Sequence, residues 1–274
     1  MFYKGGAYLN YTNINEHSWD KWASEKCVWT LPITHQEFLN AQNGKMSLYL
    51  TPLKPVPRDW YLPLKNKRIL GLASGGGQQC PLFVAGGATV TVFDISSKQL
   101  KSDKLVAERE GYDISLIKGD MSQKFPFEDE SFDIVFNPVS NSYIKDIFHV
   151  WNECYRVLKH GGQLLAGFAN PTIYLYEKDK NEYRLSYAMP FNPLIDLSDR
   201  ELERLSYTDG IQFGHSFSEQ ITGQIDAGFV LTGFYEDYHP TDNAITSYNT
   251  YIGETASYLT KYMPIYFATK SIKI

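Results

Sequence analysis

The chain has few residues that form covalent cross-links or bind metals. Among 274 residues there are only three cysteines, Cys27, Cys80 and Cys154, and they lie far apart. An odd number at such spacing favours reduced, buried thiols over disulfides or a zinc site. The six histidines show no ligand spacing such as His-x-x-x-His. We therefore predict no metal centre.

Long apolar runs and an excess of basic residues are also missing. No run approaches the roughly twenty apolar residues of a membrane helix, and the N-terminus has no signal-peptide core. The net charge of −5 opposes binding to a polyanion, which relies on clustered Lys and Arg. We expect a cytoplasmic monomer or homodimer with no membrane or nucleic-acid partner.

The sequence does contain a glycine-rich turn between two apolar strands. The turn lies within residues 68–79, and the next strand is Val90-Thr-Val-Phe-Asp94. Glycines accept positive φ and let the backbone approach a ligand, while an acid at the tip of the second strand can hold both hydroxyls of a ribose. This arrangement predicts a nucleoside-cofactor site.

Two phosphate-binding classes share part of this pattern. Dinucleotide binding requires Gly-x-Gly-x-x-Gly, whereas residues 75–77 are three consecutive glycines followed by Gln-Gln-Cys-Pro. A P-loop is excluded because no Gly-Lys-Ser/Thr follows. A nucleoside without phosphate is favoured, and a dehydrogenase is the weaker alternative.

Apolar strands and amphipathic helices alternate through most of the chain. The predicted elements are helices over 97–110, 146–159 and 218–227, and strands over 114–117, 132–136, 229–235 and 264–270. Such alternation predicts an α/β fold with a mostly parallel sheet wound on both faces.

Motifs in this order resemble those of class I S-adenosylmethionine-dependent methyltransferases, of the bacterial small-molecule type with a methyltransferase-11-like domain. The motifs are residues 69–77 with Asp94, residues 118–121, residues 132–138 and residues 153–165. The resemblance implies a Rossmann-like, doubly wound sheet of seven strands, mostly parallel with an antiparallel final strand. It also implies S-adenosyl-L-methionine as the cofactor.

The same resemblance implies a set of cofactor-binding residues. Asp94 would hold the ribose hydroxyls, and Asp120 and Met121 would contact the adenine. The full implied set is Ala73, Gly75, Gly77, Gln78, Asp94, Ile95, Asp120, Met121 and Asn137.

The chain departs from the family at two positions. Gly71 stands where the first strand usually carries an acid, and Ala73 replaces the first loop glycine. Because that acid organises the methionine amine, the contact must come from elsewhere, such as the Ala73 carbonyl or the Gln78 and Gln79 side chains. Because this acid is missing, a protein that binds the cofactor without catalysing methyl transfer is an alternative interpretation.

Two segments interrupt or precede the regular pattern. We expect residues 1–65 to form a lid, with helices around 16–26 and 35–40, and residues 66–274 to form the methyltransferase domain, with a cap insertion at 171–213. Both segments should close over the cofactor cleft. The candidate acceptor-pocket residues are Trp19, Trp22, Tyr143 and His215, and His215 is also a weak candidate for a general base.

A further helix is predicted to carry a stripe of Tyr248, Tyr251, Tyr258 and Tyr262.

The residues at the end of the fourth predicted strand indicate which class of methyl acceptor the protein uses. Enzymes that methylate the amine of adenine or glutamine carry Asn/Asp-Pro-Pro-Tyr/Phe there, and this chain has Asn137-Pro-Val-Ser140. A flipped base would lack its aromatic stacking partner. We predict methyl transfer to a small-molecule acceptor by in-line displacement. The alternative is a nucleic-acid or protein amino-methyltransferase.

Overall fold

A seven-stranded sheet forms the centre of the molecule. The computed structural model describes residues 10–179, 182–237, 259 and 262–274. The strands of this sheet are β1 (Arg68–Leu72), β2 (Thr89–Asp94), β3 (Ser115–Lys118), β4 (Phe132–Asn137), β5 (Leu158–Ala169), β8 (Phe229–Asp237) and β9 (Tyr266–Lys273). A separate hairpin contains β6 (Tyr176–Asp179) and β7 (Glu182–Leu185).

The strand order of the sheet is β3-β2-β1-β4-β5-β9-β8. Neighbouring strands from β3 to β5 are parallel, and β9 is antiparallel to both β5 and β8. The prediction of a mostly parallel, doubly wound sheet with an antiparallel final strand is confirmed.

Helices cover both faces of the sheet. They are α3 (Cys80–Ala85), α4 (Ser97–Glu110), α5 (Ile147–Val157) and α8 (Gly223–Asp226), the last preceded by a π-helical turn at Ser218–Thr222. The ends of α4 follow from local chemistry. The Ser96 side chain accepts the Gln99 N–H, and Gly111 adopts the left-handed conformation after the last turn.

Alternate side chains of the strands point into two apolar clusters, one on each face. Ile69 of β1 packs with Phe83 of α3 and Phe136 of β4, whereas Leu70 packs with Trp151 and Cys154 of α5. This period of two along buried strands is the geometry expected when both faces are covered.

The N-terminal segment contributes to one of these clusters. It contains α1 (Tyr11–Ser24) and α2 (His35–Gln42), followed by an extended stretch whose Leu48, Leu50 and Trp60 are buried in the core. The stretch crosses β5 closely, because an added Cβ on Gly167 would lie 2.1 Å from the Leu50 carbonyl oxygen. The buried residues of this stretch, together with Ala41 of α2, therefore belong to the core beneath the sheet.

The insertion after β5 forms the β6–β7 hairpin and two helices, α6 (Pro193–Asp196) and α7 (Asp199–Thr208). Its small apolar cluster of Leu202, Ile211 and Phe213 packs against α1. Helix α1 begins five residues before the predicted start because the Asn10 side chain caps it by accepting the Asn13 N–H. Most of the predicted tyrosine stripe, Tyr248, Tyr251 and Tyr258, lies outside the described residues.

Candidate active site

A cavity of about 610 Å³ lies at the carboxyl ends of the parallel strands. Ala73 follows β1, Asp94 ends β2, Asp120 follows β3 and Pro138 follows β4, and all four line it. Open α/β sheets bind ligands at this edge, where the loops of neighbouring strands converge. The sheet topology therefore gathers residues from four strands around one space.

The turn after β1 is fixed by its backbone and by two carboxylates. Ala73, Gly76 and Gly77 have φ of +45°, +113° and +70°, values that glycine adopts more easily than residues with a side chain. The Gly75 N–H donates to Asp94 Oδ2 at 2.9 Å, and the Gly76 N–H donates to Asp103 Oδ2 at 2.8 Å. Ala73 and Gly75 are thereby held at the cavity surface.

Asp94 lies between this turn and the start of α4, with 8% of its surface exposed. Its Oδ1 accepts the Ser96 N–H at 2.8 Å, and its Oδ2 accepts the Gly75 N–H. A carboxylate oxygen accepts more than one hydrogen bond, so both oxygens retain capacity for a diol. Burial raises the pKa of Asp94 to about 6 because it disfavours the charged form.

The wall beside Asp94 is apolar with a carboxylate at its edge. Ile95, Phe93, Met121 and Asp120 line this corner, and Asp120 Oδ1 accepts the Ser122 N–H at 2.8 Å. Met121 packs in the same apolar cluster as Phe93. An apolar surface with an acceptor at its rim suits a flat heteroaromatic ring that carries an amino group.

Cys80 fills the space beside Gly71, where the family has its first-strand acid. An added Cβ on Gly71 would lie 2.3 Å from Cys80 Sγ. The thiol is completely buried, and it lies 3.6 Å from the Ser74 carbonyl oxygen. Burial raises the pKa of Cys80 well above its usual range, so this cysteine is a neutral packing group.

The two glutamines after the turn both line the cavity. Gln78 Nε2 donates to the Val28 carbonyl at 3.3 Å, and Gln79 Oε1 accepts the Tyr49 N–H at 2.9 Å. Each amide is thus oriented by the N-terminal segment and keeps polar atoms for a further partner.

Gly77 and Asn137 are in the predicted cofactor set but lie outside the cavity lining. An added Cβ on Gly77 would lie 2.9 Å from Val106 Cγ2, so this glycine allows α4 to pack against the turn. The Asn137 amide is fully buried and donates to the Leu72 carbonyl at 3.0 Å. Both residues shape the loops that border the cavity, and their direct contact with the cofactor stays a prediction.

The wall opposite the glycine turn comes from the two flanking segments. Trp19 and Trp22 of α1 line it together with Tyr143, and the Trp19 ring packs edge-on against Trp22 and Tyr143 at centroid distances of 4.9 and 5.6 Å. The cap insertion adds Tyr174 to this wall. The other lining residues from these segments and from β9 are Thr12, Asn15, Cys27, Val28, Trp29, Tyr49, Leu50, Thr51, Pro52, Ile173, Asp209, Gln212 and Tyr266.

His215 does not belong to this wall. Its Nε2 lies 2.7 Å from the Ile144 carbonyl oxygen, and its ring stacks on Phe213. Burial lowers the pKa of His215, so the side chain is a neutral partner of that carbonyl. His215 is not among the lining residues of the cavity, although its partner Ile144 is; its contact with the acceptor stays a prediction.

Asn15 joins the flanking segments, a role that the sequence does not predict. The Asn15 Oδ1 accepts the Ile211 N–H at 2.7 Å, and Nδ2 donates to the carbonyls of Tyr143 and Ile211, both at 3.1 Å. One buried amide therefore ties α1 to the loop after β4 and to the cap insertion. A single polar residue in an amphipathic helix gives no signal of such a role.

Comparison with known proteins agrees with this site. The model of a family described as a methyltransferase domain matches residues 70–166, the part that supplies the glycine turn, Asp94 and Asp120. An uncharacterized methyltransferase of Bacillus subtilis, YbaJ, is 39% identical over 264 residues, covering 95% of this chain and 97% of that protein. The chain belongs to the S-adenosylmethionine-dependent methyltransferase family. The methyltransferase is also 27% identical to the sterol 24-C-methyltransferase of Pneumocystis carinii, over 62% of this chain and 40% of that protein.

Solved structures share the fold of this methyltransferase. A putative S-adenosylmethionine-dependent methyltransferase from Listeria monocytogenes superposes with a TM-score of 0.58 at 16% identity, over 79% of this chain and 94% of that one. The corresponding enzyme from Mesorhizobium loti gives 0.56 at 20% identity, over 79% and 95%.

The cofactor of the methyltransferase is S-adenosyl-L-methionine, and the chemistry of the cavity fits it. Asp94 has free acceptor positions, an apolar corner lies beside it, and no Gly-Lys-Ser/Thr phosphate motif follows the turn. Within the part of the chain that the structure describes, no group of three or more His, Cys, Asp or Glu side chains is arranged to hold a metal ion. No helix among the same residues is long and apolar enough to cross a membrane.

Proposed function

We propose that this methyltransferase transfers the methyl group of S-adenosylmethionine to a small-molecule acceptor held in the cavity described above. The observation that carries the proposal is the composition of that cavity. One space of about 610 Å³ is bounded by the glycine turn and Asp94 on one side and by Trp19, Tyr143 and Tyr174 on the other. Such a volume lies within the range of pockets for small ligands.

In this proposal the first wall holds the cofactor. Asp94 accepts the ribose hydroxyls, Asp120 accepts the adenine amine, and Ile95 and Met121 cover the ring. Ala73, Gly75 and Gln78 face the methionine end. The cofactor supplies a methyl group that is already activated for displacement, so these residues contribute alignment and exclusion of water.

The flanking segments act in this proposal as lid and cap. Support comes from Asn15, whose buried amide joins α1 to both the Tyr143 loop and the cap insertion. Further support comes from Asp20 of α1, whose Oδ1 accepts the Ser96 hydroxyl at 2.6 Å at the start of α4. The lid is thereby attached to the cofactor side as well.

The three unpaired cysteines support a reducing, cytoplasmic location.

The second candidate, amino-methylation of a nucleic acid or protein, has weaker support. Val139 and Ser140 line the cavity where such enzymes carry a proline and a stacking aromatic residue. A cavity walled by α1 and the cap insertion favours a free metabolite over a flipped base or a peptide side chain.

The test follows a labelled methyl group. Purified protein is incubated with methyl-labelled cofactor and separately with a low-molecular-mass metabolite extract, nucleic acid and protein from the same cells. We expect label in the metabolite fraction only, and expect it to be lost in Asp94→Asn but retained in the exposed control Asp113→Asn. Label in nucleic acid or protein would contradict the small-molecule assignment. Failure of the demethylated cofactor to bind in calorimetry would contradict the cofactor site itself.

A further inference from the structure

The charges around the cavity are of one sign. The charged side chains among its described lining residues are Asp94, Asp120 and Asp209, and no Lys, Arg or His of the described part of the chain lines it. Asp94 and Asp120 lie at the proposed cofactor wall, so Asp209 is the carboxylate on the acceptor side. An acceptor carrying a carboxylate or phosphate would find no cationic partner among these residues, and it would meet like charge.

Aromatic rings and hydroxyls make up most of the remaining acceptor wall. Tyr143, Tyr174 and Tyr266 come from the loop after β4, the start of the cap insertion and β9. Tyr174 stacks on Phe191 with an interplanar angle of 6°, and its hydroxyl donates to Gln212 Oε1 at 3.0 Å. Tyr174 is thus held in place from outside the cavity, and the three tyrosines converge from distant parts of the chain.

The same three hydroxyls remain neutral. Burial raises the pKa of Tyr174 to about 12. The pKa of Tyr143 is raised by burial and by the neighbouring Tyr174 and Asp209. Asp209 lines the same cavity as the three tyrosines. Neutral rings with a carboxylate at their edge attract cations, since the ring face carries partial negative charge.

We propose that the acceptor is a small amine with an aromatic or apolar body, bound between the tyrosine wall of Tyr143, Tyr174 and Tyr266 and the carboxylate of Asp209. This proposal rests on the proposed methyl transfer and names its substrate class. The amine binds as an ammonium ion and first loses one proton to solvent by way of Asp209, which is exposed at the cavity edge. The uncharged nitrogen then attacks the methyl carbon, the C–N bond forms as the C–S bond breaks, and the electron pair of the broken bond stays on sulfur.

The test uses two probes of equal size that differ in charge, phenethylamine and phenylacetate. Binding of each is measured by tryptophan fluorescence and calorimetry with the demethylated cofactor already bound. We expect the amine to bind at least tenfold more tightly than the carboxylate. Asp209→Asn should reduce this ratio severalfold, because one partly exposed charge is removed. The exposed Asp199→Asn, in the adjacent helix α7, should leave it unchanged.

The outcomes separate the two proposals. If the demethylated cofactor does not bind, the proposed methyl transfer fails. If it binds but phenylacetate binds as tightly as phenethylamine, or if phenethylamine shows no binding at millimolar concentration, the amine proposal fails while the methyltransferase assignment stands. A ratio that is equal in wild type and Asp209→Asn also overturns the proposal, because it removes Asp209 from the acceptor site.

Discussion

The contact between Gly71 and Cys80 predicts a strong coupling between two substitutions. In Gly71→Ala the new methyl group would lie 2.3 Å from Cys80 Sγ, well inside van der Waals contact. Excess volume in a packed core costs about 1–3 kcal/mol. We expect the free energy of unfolding to fall by about 2 kcal/mol, because both the strand backbone and the start of α3 are fixed.

The second substitution should relieve the first. Cys80→Ala alone removes a buried sulfur, which costs about 1–2 kcal/mol by loss of burial and packing. In the double variant the methyl group at position 71 occupies part of the vacated space. The two single costs add to about 3–4 kcal/mol, and we expect the double variant to lie within about 1 kcal/mol of wild type. The coupling energy is therefore at least about 2 kcal/mol.

Urea unfolding of the four proteins, followed by circular dichroism, measures this coupling. Cys154→Ala is the matched control, since Cys154 is equally buried but packs on the opposite face of the sheet with Trp151. Gly71→Ala and Cys154→Ala should be additive within about 0.5 kcal/mol. Additivity of Gly71→Ala and Cys80→Ala would refute the conclusion that Cys80 takes the place of the missing acid.

Three other predictions follow from buried polar groups. Asp94→Asn should weaken binding of the demethylated cofactor by about 1.5–3 kcal/mol in calorimetry, because the charged acceptor of the diol is lost. The pKa of Asp94 is about 6 in the folded protein. The affinity of the wild type for the demethylated cofactor should therefore weaken as pH falls through about 6, while Asp94→Asn should show no such change. Asn15→Ala should lower the free energy of unfolding by about 3 kcal/mol, about one for each of its three hydrogen bonds. Burial raises the pKa of Asp103 to about 8 in the folded protein, whereas its pKa in the unfolded chain is about 4. The free energy of unfolding should therefore fall as pH rises from about 4 to about 8. In Asp103→Asn that fall should be smaller.

Exposed positions provide controls for the Asp94 and Asn15 predictions. Asp113→Asn should bind the cofactor normally, and Asn13→Ala, at an exposed position of α1, should unfold like wild type. A wild-type affinity independent of pH between 5 and 7 would show that Asp94 does not bind the diol in its charged form. Stability that rises towards pH 8 would contradict the burial of a neutral Asp103, since a raised pKa in the folded state can only remove stability as the carboxyl ionises.

The sequence predicts the cavity residues whose positions follow from the strand or turn that carries them. Asp94 ends a strand of alternating apolar residues, and in a parallel sheet the end of a strand defines the edge at which its side chain lies. The glycine turn is defined by the same rule. Cys80 could not be placed beside Gly71 from sequence, because the packing of α3 on β1 is a tertiary contact. The same reason explains the unforeseen role of Asn15, whose partners lie up to 196 residues away.

The position of β9 has a consequence for how the molecule is assembled. β9 follows β8 along the chain, yet it lies between β8 and β5 and hydrogen-bonds to both. During synthesis β8 is therefore made before its neighbouring strand exists. It can join the sheet only after β9 has been made and has paired with β5. Tyr266, the first residue of β9, also lines the cavity. Completion of the sheet and completion of the cavity wall are thus one event, and a nascent chain that stops before β9 has neither.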